Sequence, residues 1–299
     1  MKQFLSIALA LALTAALFAG CSPNAADNGG SSPVPASGTV TADPLAGQPA
    51  PAEEAKYVFL FIGDGMSFPQ VLDNDKGFFL MCEGGKIDWA CHANDAASTI
   101  HDTLALADAV QVAIDFAKTH ADETLILVTG DHETGGLTIG FAGTDYDTYL
   151  SLLDSQKISF AKFDSDYVAA YKEKKTSFDT VLADIEELFG LKTGENAEDK
   201  LVLTDYELGL LKTAYEKSVN GKDTGMAAQE EYVAYGTYEP LTVTITHILN
   251  NKSGVSFSSY SHTGLPVAMF AHGVNAEQFN GYYDNTDIYT RLAAMLAVK

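Results

Sequence analysis

The chain has 299 residues, of which 46% are apolar and 19% are charged, and its formal net charge at pH 7 is −22. This composition is typical of a globular protein with a hydrophobic core and excludes a fully disordered chain. The negative charge argues against nucleic acid or a basic membrane-docking patch, because both need Lys and Arg, but it leaves phosphate esters open since bound cations can dominate a local field.

The N-terminus has the pattern of an export signal. Lys2 precedes an apolar run from Phe4 to Phe18, and the string Leu-Phe-Ala-Gly-Cys that ends at Cys21 resembles a bacterial lipobox. An ordinary signal peptide and a short membrane helix are the alternatives, and the run is short for a membrane span. We therefore predict a lipoprotein signal peptide over 1–20, a lipidated Cys21, and an exported chain that is anchored to the cell surface or periplasmic membrane by lipid alone.

Residues 21–54 are rich in Ser, Pro, Ala and Gly without apolar periodicity, which predicts a flexible tether. Residues 55–299 then form one domain of ordinary size. Its two cysteines, Cys82 and Cys91, could form a disulfide after export or remain buried thiols.

Apolar runs bounded by turn residues predict the strands of the domain. They are Tyr57–Ile62, Phe78–Met81, Thr124–Val128 and Pro266–Ala271. A helical pattern runs from Asp102 to His120, and its predicted buried face consists of Leu104, Ala107, Val110, Ile114 and Ala117. The order strand, helix, strand predicts an α/β fold in which helices cover a mainly parallel sheet.

Residues 145–251 form a mostly helical segment that we interpret as an insertion or cap. Its clearest helices are Phe178–Phe189 and Asp205–Val219. A last helix is predicted from Thr286 to Val298, with Asp284 and Asn285 as capping candidates.

Acidic and histidine residues cluster where the predicted strands end, which is where open α/β sheets bind ligands. Asp64 follows the first strand in Phe-Ile-Gly-Asp-Gly-Met. The second strand is followed by Glu83, Asp88 and His92, the third by Asp131 and His132, and His262 precedes the fourth.

These clusters combine the ligand types that zinc prefers. Singly, each has an ordinary explanation, such as a turn residue, a helix cap or a surface ion pair. Together, carboxylates and imidazoles at four strand ends favour a catalytic metal site. Two ions held about 4 Å apart can bind the attacking and leaving oxygens of a phosphoryl transfer.

The strings Glu-Gly-Gly-Lys-Ile-Asp-Trp-Ala-Cys-His-Ala-Asn-Asp and Thr-Gly-Asp-His-Glu-Thr-Gly-Gly resemble those of the alkaline phosphatase family. The resemblance covers about residues 56–71, 77–142 and 254–298. It implies an α/β sandwich, two zinc ions, a magnesium ion, hydrolysis of phosphomonoesters, and a small phosphate ester or inorganic phosphate as the partner. Homodimers are common in the family.

The resemblance also assigns the metal ligands. It implies that Asp88, His92 and His262 hold one zinc ion, and that Asp64, Asp131 and His132 hold the second. Asp64 and Glu83 would reach the magnesium ion.

One long segment of the family is missing from this sequence. In the family, a segment between the Asp motif and the Glu-Gly-Gly motif carries the serine nucleophile, in an Asp-Ser-Ala type motif, together with the phosphate-binding arginine and further magnesium ligands. Here Asp64 and Glu83 are 19 positions apart, and Val71 runs directly into Leu72. The magnesium site is therefore expected to be incomplete.

Substitutes for the missing groups are few. Ser67 is a weak candidate nucleophile, and Ser98 and Thr99 are interpreted as helix-initiating residues. The only arginine is Arg291, and Lys76 or Lys86 could supply no more than a point charge. We therefore expect an impaired phosphomonoester hydrolase; the alternatives are a catalytically inactive lipoprotein that binds zinc or phosphate, and the non-functional product of a deleted gene.

Overall fold

The computed structural model describes residues 55–63, 70–74, 77–196 and 198–296. Cys21, Asp64, Ser67 and Lys76, together with the predicted signal peptide and tether, lie outside the described residues. Within the described residues, no helix combines the length and apolar composition needed to cross a membrane.

Strands lie mainly towards the two ends of the described residues, and helices lie mainly between them. The strands are β1 Tyr57–Ile62, β2 Gln70–Asn74, β3 Gly77–Glu83, β4 Thr124–Thr129, β5 Glu133–Thr134, β6 Thr138–Ile139, β7 Val255–Ser256, β8 His262–Thr263 and β9 Met269–Gly273. The α-helices are α1 Lys86–His92, α2 Ala96–Ala117, α3 Phe160–Phe163, α4 Ala169–Lys174, α5 Phe178–Phe189, α6 Asp205–Asn220, α7 Ala228–Tyr235, α8 Pro240–Ser253 and α9 Asn285–Met295. A π-helical turn, Asp164–Val168, joins α3 to α4, and short 3₁₀ turns lie at Ala121–Glu123, Ala142–Thr144, Leu150–Ser155 and Ala276–Phe279.

The main sheet has five strands in the order β2-β3-β1-β4-β9. Its three central strands are parallel, and the edge strands β2 and β9 are antiparallel to their neighbours. The predicted α/β class with a mainly parallel sheet is confirmed at this centre. Val71 and Leu72, between which the family segment was expected to be missing, are consecutive residues of edge strand β2.

Both faces of the sheet are covered, as expected for parallel strands. Because side chains alternate along a strand, Val58 and Leu60 of β1 pack with α9 on one face, whereas Phe59 and Phe61 pack with α2 on the other. A separate and larger core belongs to the helical segment, where α8 alone buries ten residues.

Helix α2 differs from its prediction in both position and orientation. It begins at Ala96, six residues before the predicted start, and ends at Ala117. The predicted face is right at Val110 and Ala117 and wrong at the other three positions: Leu104 is 57% exposed, and Ala107 and Ile114 are exposed as well. The face that meets the sheet is instead built from Leu106, Ala109, Val110, Ala113, Phe116 and Ala117.

The other boundaries lie close to the predictions. Strand β1 and helix α5 match residue for residue, while the predicted strand Pro266–Ala271 begins at Met269. Asp284 caps α9 by accepting a hydrogen bond from the Thr286 amide. Cys82 and Cys91 are both free thiols.

Candidate metal centre

The parallel strands bring Glu83 and Asp131 to one edge of the sheet. Ile62 of β1 pairs with Glu83 of β3 on one side and with Thr129 of β4 on the other, so these three strand ends coincide. Asp131 follows Thr129 by two residues. Partial burial and then the Asp131 carboxylate raise the pKa of Glu83, which places the two carboxylates in one electrostatic environment.

Helix α1 starts directly after this edge and carries Asp88 and His92 on one face. Residues four apart on a helix are neighbours, and His92 Nε2 lies 3.3 Å from Asp88 Oδ1. His262 arrives from the other end of the sequence, with Nε2 3.8 Å from the same carboxylate oxygen. The three side chains each offer one ligand atom, and these atoms all lie within 4.8 Å of one another.

The small antiparallel ribbon of β5 and β8 places His262. Thr134 of β5 is paired with His262 of β8, and β5 continues directly from the Asp131-His132 pair. The His132 and His262 rings stack with centroids 3.5 Å apart. The ribbon therefore brings together residues from the two ligand sets that the resemblance implies.

Thr134 connects these two sets through its hydroxyl. Its Oγ donates to Asp88 Oδ1 at 2.6 Å. Since the hydroxyl has one hydrogen, the 3.2 Å contact with His132 Nδ1 must be donated by the imidazole N–H. Nε2, the other ring nitrogen of His132, lies 3.5 Å from Asp131 Oδ2 and is the one placed to bind a cation.

The backbone fixes His92 in the same way. Its Nδ1 lies 2.6 Å from the main-chain oxygen of Tyr260, which can only accept a hydrogen bond. Nδ1 therefore carries a proton, and Nε2, the nitrogen that faces Asp88, is the one placed to bind a cation. A ligand histidine held through its second nitrogen by a carbonyl is the usual arrangement in metal sites.

The donor set fits a divalent cation. One carboxylate and two imidazoles are typical catalytic zinc ligands. In addition, Asp131 Oδ1 is buried and has no hydrogen-bond partner among the described residues, which is costly unless a cation lies beside it. The Asp88 side chain is 12% exposed and that of His262 is 52% exposed, so the cluster opens to solvent on the His262 side.

The structure thus brings together six of the predicted ligands: Glu83, Asp88, His92, Asp131, His132 and His262. Ser98 lies in the first turn of α2, where its amide and hydroxyl both donate to the buried carboxylate of Asp95. Lys86 lies over the ring of Trp89. Arg291 donates to the Gln278 carbonyl and lies over the Tyr283 ring.

Sequence reasoning missed several residues around the ligands: Thr134, Tyr260, Tyr238, Asn94 and His247. Burial and then the Asp88 carboxylate raise the pKa of Tyr238, so the helical segment reaches the site. His247 was detectable as a lone imidazole in the apolar run of α8, and burial lowers its pKa to about 4. Tyr260 acts through its main-chain oxygen, which every residue has, so its residue type could not reveal this role.

Comparison with known proteins agrees with this geometry. The sequence profile of the alkaline phosphatase family matches residues 70–298, including the helical segment. Alkaline phosphatase 3 of Bacillus subtilis is 35% identical over 218 residues, which are 73% of this chain and 40% of that protein. Alkaline phosphatase 4 of the same organism is 32% identical, over 72% of this chain and 38% of that protein.

Solved structures show the same fold. The cold-active alkaline phosphatase of a psychrophilic Shewanella superposes with a TM-score of 0.56 and 30% identity, over 75% of this chain and 46% of that chain. The Thermus thermophilus alkaline phosphatase gives a TM-score of 0.57 at 22% identity, over 75% and 44% of the two chains. The chain spans about two fifths of the length of the curated relatives named above. By the profile match over most of its length, this chain belongs to the alkaline phosphatase family.

Proposed function

We propose that this chain is a metal-dependent phosphomonoester hydrolase whose turnover is impaired by the loss of the segment that carries the family's serine nucleophile. The observation that carries the proposal is the convergence of Asp88, His92 and His262 at the carboxyl edge of the sheet. Asp88 and His92 are four residues apart on α1, whereas His262 comes from the far end of the sequence, and one carboxylate with two imidazoles is a ligand set that catalytic zinc uses.

In this proposal Asp88, His92 and His262 hold one zinc ion. Asp131 and His132, with Asp64, hold the second. Glu83 and Asp64 contribute to a magnesium site that lacks its remaining ligands. When bound, the metal ions supply Lewis acidity that polarises the phosphoryl oxygens of a small phosphate ester.

The protein's own groups prepare these ligands. The Tyr260 carbonyl accepts from Nδ1 of His92, and Thr134 orients Asp88 through its hydroxyl. The exposed side of His262 is the approach for the ester. Positioning of this kind supports binding of phosphate even where covalent catalysis is lost.

The impairment follows from what the sequence between Asp64 and Glu83 contains. It has no Asp-Ser-Ala string and no arginine. Arg291 is engaged with Gln278 and Tyr283. Without an activated serine the route through a covalent intermediate is closed, and without a nearby arginine the phosphoryl group loses its planar, bidentate partner.

The same observations favour a second candidate, a catalytically inactive lipoprotein that binds zinc or phosphate. In both candidates the chain is exported and anchored through lipid at Cys21, and it either acts on or binds a small phosphate ester or inorganic phosphate. The two candidates differ only in turnover. For either candidate we propose that the chain forms a homodimer, as is common in the family.

The deciding experiment is hydrolysis of an aryl phosphate by the full chain in detergent, loaded with zinc and magnesium. Asp88→Asn removes a proposed ligand, and Asp184→Asn is the matched control because Asp184 accepts from Tyr171 within the helical segment. Slow turnover that is lost in Asp88→Asn and kept in the control supports the impaired hydrolase. Zinc binding with no turnover above Asp88→Asn supports the inactive protein, and a chain that binds neither zinc nor inorganic phosphate contradicts both.

A further inference from the structure

A buried asparagine joins the helix that carries two candidate ligands to the rest of the protein. Asn94 follows the C-terminus of α1, is 3% exposed and has a φ of 52°, a left-handed conformation that Asn tolerates better than most residues. Its side-chain Nδ2 donates to the carbonyl of Cys91 at 2.9 Å and to that of Ser259 at 3.0 Å. The first bond closes the end of α1, and the second reaches the chain just before β8.

Helix α8 of the helical segment contacts the same residue twice. His247 Nε2 lies 2.9 Å from Asn94 Oδ1, and Asn250 Nδ2 donates to the Asn94 main-chain oxygen at 2.8 Å. Two carbonyls surround the Asn94 nitrogen, so its amide oxygen must face His247 and Nε2–H must be the donor. Burial lowers the pKa of His247 to about 4, which keeps this imidazole neutral at pH 7.

The segment that Asn94 contacts at Ser259 also orients the ligand histidines. The next residue, Tyr260, accepts the hydrogen bond from His92 Nδ1, and His262 follows two residues later. The rings of His247 and Tyr260 also lie with centroids 6.0 Å apart. One buried side chain therefore ties α1, which carries Asp88 and His92, to the strand that carries His262.

We propose that Asn94 and His247 are positioning residues through which helix α8 sets the zinc affinity of the Asp88–His92–His262 cluster. The inference rests on the proposed metal site. All the side-chain polar groups of Asn94 are satisfied, so the amide has one arrangement, and that arrangement fixes α1 and the 259–262 chain relative to each other. Outer groups that orient ligands typically change metal affinity 10- to 100-fold when removed.

The test compares four variants of the full chain in detergent, using Zn²⁺ alone as the probe. His247→Leu removes the donor to Asn94, His247→Gln keeps an N–H donor, and Asn94→Asp replaces the amide donor by a carboxylate oxygen facing two carbonyls. Thr246→Val is the matched control, because Thr246 is fully buried on the same helix and its hydroxyl donates to the Val243 carbonyl of that helix. Zinc affinity is measured by competition with a chromophoric chelator, and ligand geometry by the visible absorption of the Co²⁺-loaded chain.

We expect His247→Leu and Asn94→Asp to weaken zinc binding about tenfold or more and to change the Co²⁺ spectrum. We expect His247→Gln to restore most of the affinity and Thr246→Val to leave it unchanged. Thermal unfolding of the metal-free chains separates loss of affinity from loss of folding. If Asn94→Asp does not fold, the two His247 variants decide.

Two results would overturn this inference while leaving the proposed function intact. The first is a folded His247→Leu chain that binds zinc as tightly as the parent. The second is an equal loss of affinity in Thr246→Val, which would mean that any loosening of α8 has this effect. A parent chain that binds no zinc would overturn the proposed function and this inference with it, whereas aryl phosphate turnover has no bearing on the comparison among variants.

Discussion

The hydroxyl of Thr134 donates a 2.6 Å hydrogen bond to Oδ1 of Asp88, the oxygen that also faces His92 and His262. This hydrogen bond fixes the rotamer of the Asp88 carboxylate. Because the same hydroxyl accepts from His132, Thr134 fixes Asp88 and His132, one residue of each proposed zinc site, relative to each other.

Replacing Thr134 therefore tests whether the two sites are coupled. We expect Thr134→Val, which keeps the shape and removes the hydroxyl, to weaken zinc binding about tenfold, and Thr134→Ser to retain most of the affinity. Chelator competition with Zn²⁺ measures both variants against the parent. Equal affinities for Val and Ser variants would contradict a role for the hydroxyl.

The buried imidazole of His247 predicts a loss of stability in acid. Its pKa is lowered from 6.5 to about 4 in the folded chain, so the unfolded chain binds the proton first as the pH falls. The stabilising contribution is complete above pH 6.5 and is lost as the pH falls towards 4. The loss amounts to about 3 kcal/mol over that range.

His247→Gln isolates this contribution because glutamine does not titrate. We expect the free energy of unfolding of the parent chain to fall by about 2–3 kcal/mol more than that of His247→Gln between pH 7 and pH 4.5. Denaturant titrations with EDTA present at both pH values provide the measurement. Parallel pH profiles of the free energy of unfolding for the two chains would show that the pKa of His247 is not lowered in the folded chain.

The ordered features that sequence predicts best in this chain are those that depend on local pattern. The run Tyr57–Ile62 is apolar on both faces and bounded by turn residues, and it forms β1 with the predicted bounds. The apolar pattern places the start of α2 too late because Ala96 to Ile100 contain few large apolar residues. Their helical state is instead stabilised by Asp95, whose side chain accepts from the Ser98 amide.

The candidate site shows the limit of sequence reasoning more sharply. Asp88 and His92 are four residues apart, and helical spacing places them together, whereas Asn94 and His247 are 153 positions apart and meet only in the folded chain. The predicted face of α2 failed for a related reason. Apolar residues occur around much of this helix, so periodicity alone does not say which of them the sheet covers.

We expect removal of the buried helix cap Asp95 to have a large effect on the free energy of unfolding. This carboxylate is fully buried and accepts from the Ser98 amide and hydroxyl, Gln156 Nε2 and the Phe160 amide. Asp95→Ala leaves these donors unpaired, and we expect it to lower the free energy of unfolding by about 2–4 kcal/mol. The exposed Asp108 of the same helix supplies the control Asp108→Ala, which should stay within about 0.5 kcal/mol. Similar denaturation midpoints for the two variants would contradict the capping role.

We expect the buried side chains of α8 to contribute strongly to the free energy of unfolding of the helical segment. Leu249 is fully buried in the larger core cluster. Leu249→Ala should cost about 2–5 kcal/mol, from lost burial and the cavity left behind. Val233 is 67% exposed on α7, so Val233→Ala should change stability by less than about 0.5 kcal/mol. Chemical denaturation of the metal-free chains gives both values, and a small effect at Leu249 would mean that the core can collapse around the gap.

Zinc itself should stabilise the folded chain, because a ligand that binds only the folded state shifts the unfolding equilibrium. At a free zinc concentration 100 times the dissociation constant, one site contributes about 2.7 kcal/mol, less whatever zinc binds to histidine and cysteine in the unfolded chain. We expect His262→Ala to lose most of this stabilisation. His272→Ala should keep it, since His272 is an exposed histidine on β9 that belongs to no candidate site. Thermal unfolding with zinc or with EDTA measures the difference for each chain. If His262→Ala gained as much from zinc as His272→Ala did, the stabilising ion would have to bind elsewhere, and the assignment of His262 as a ligand would be wrong.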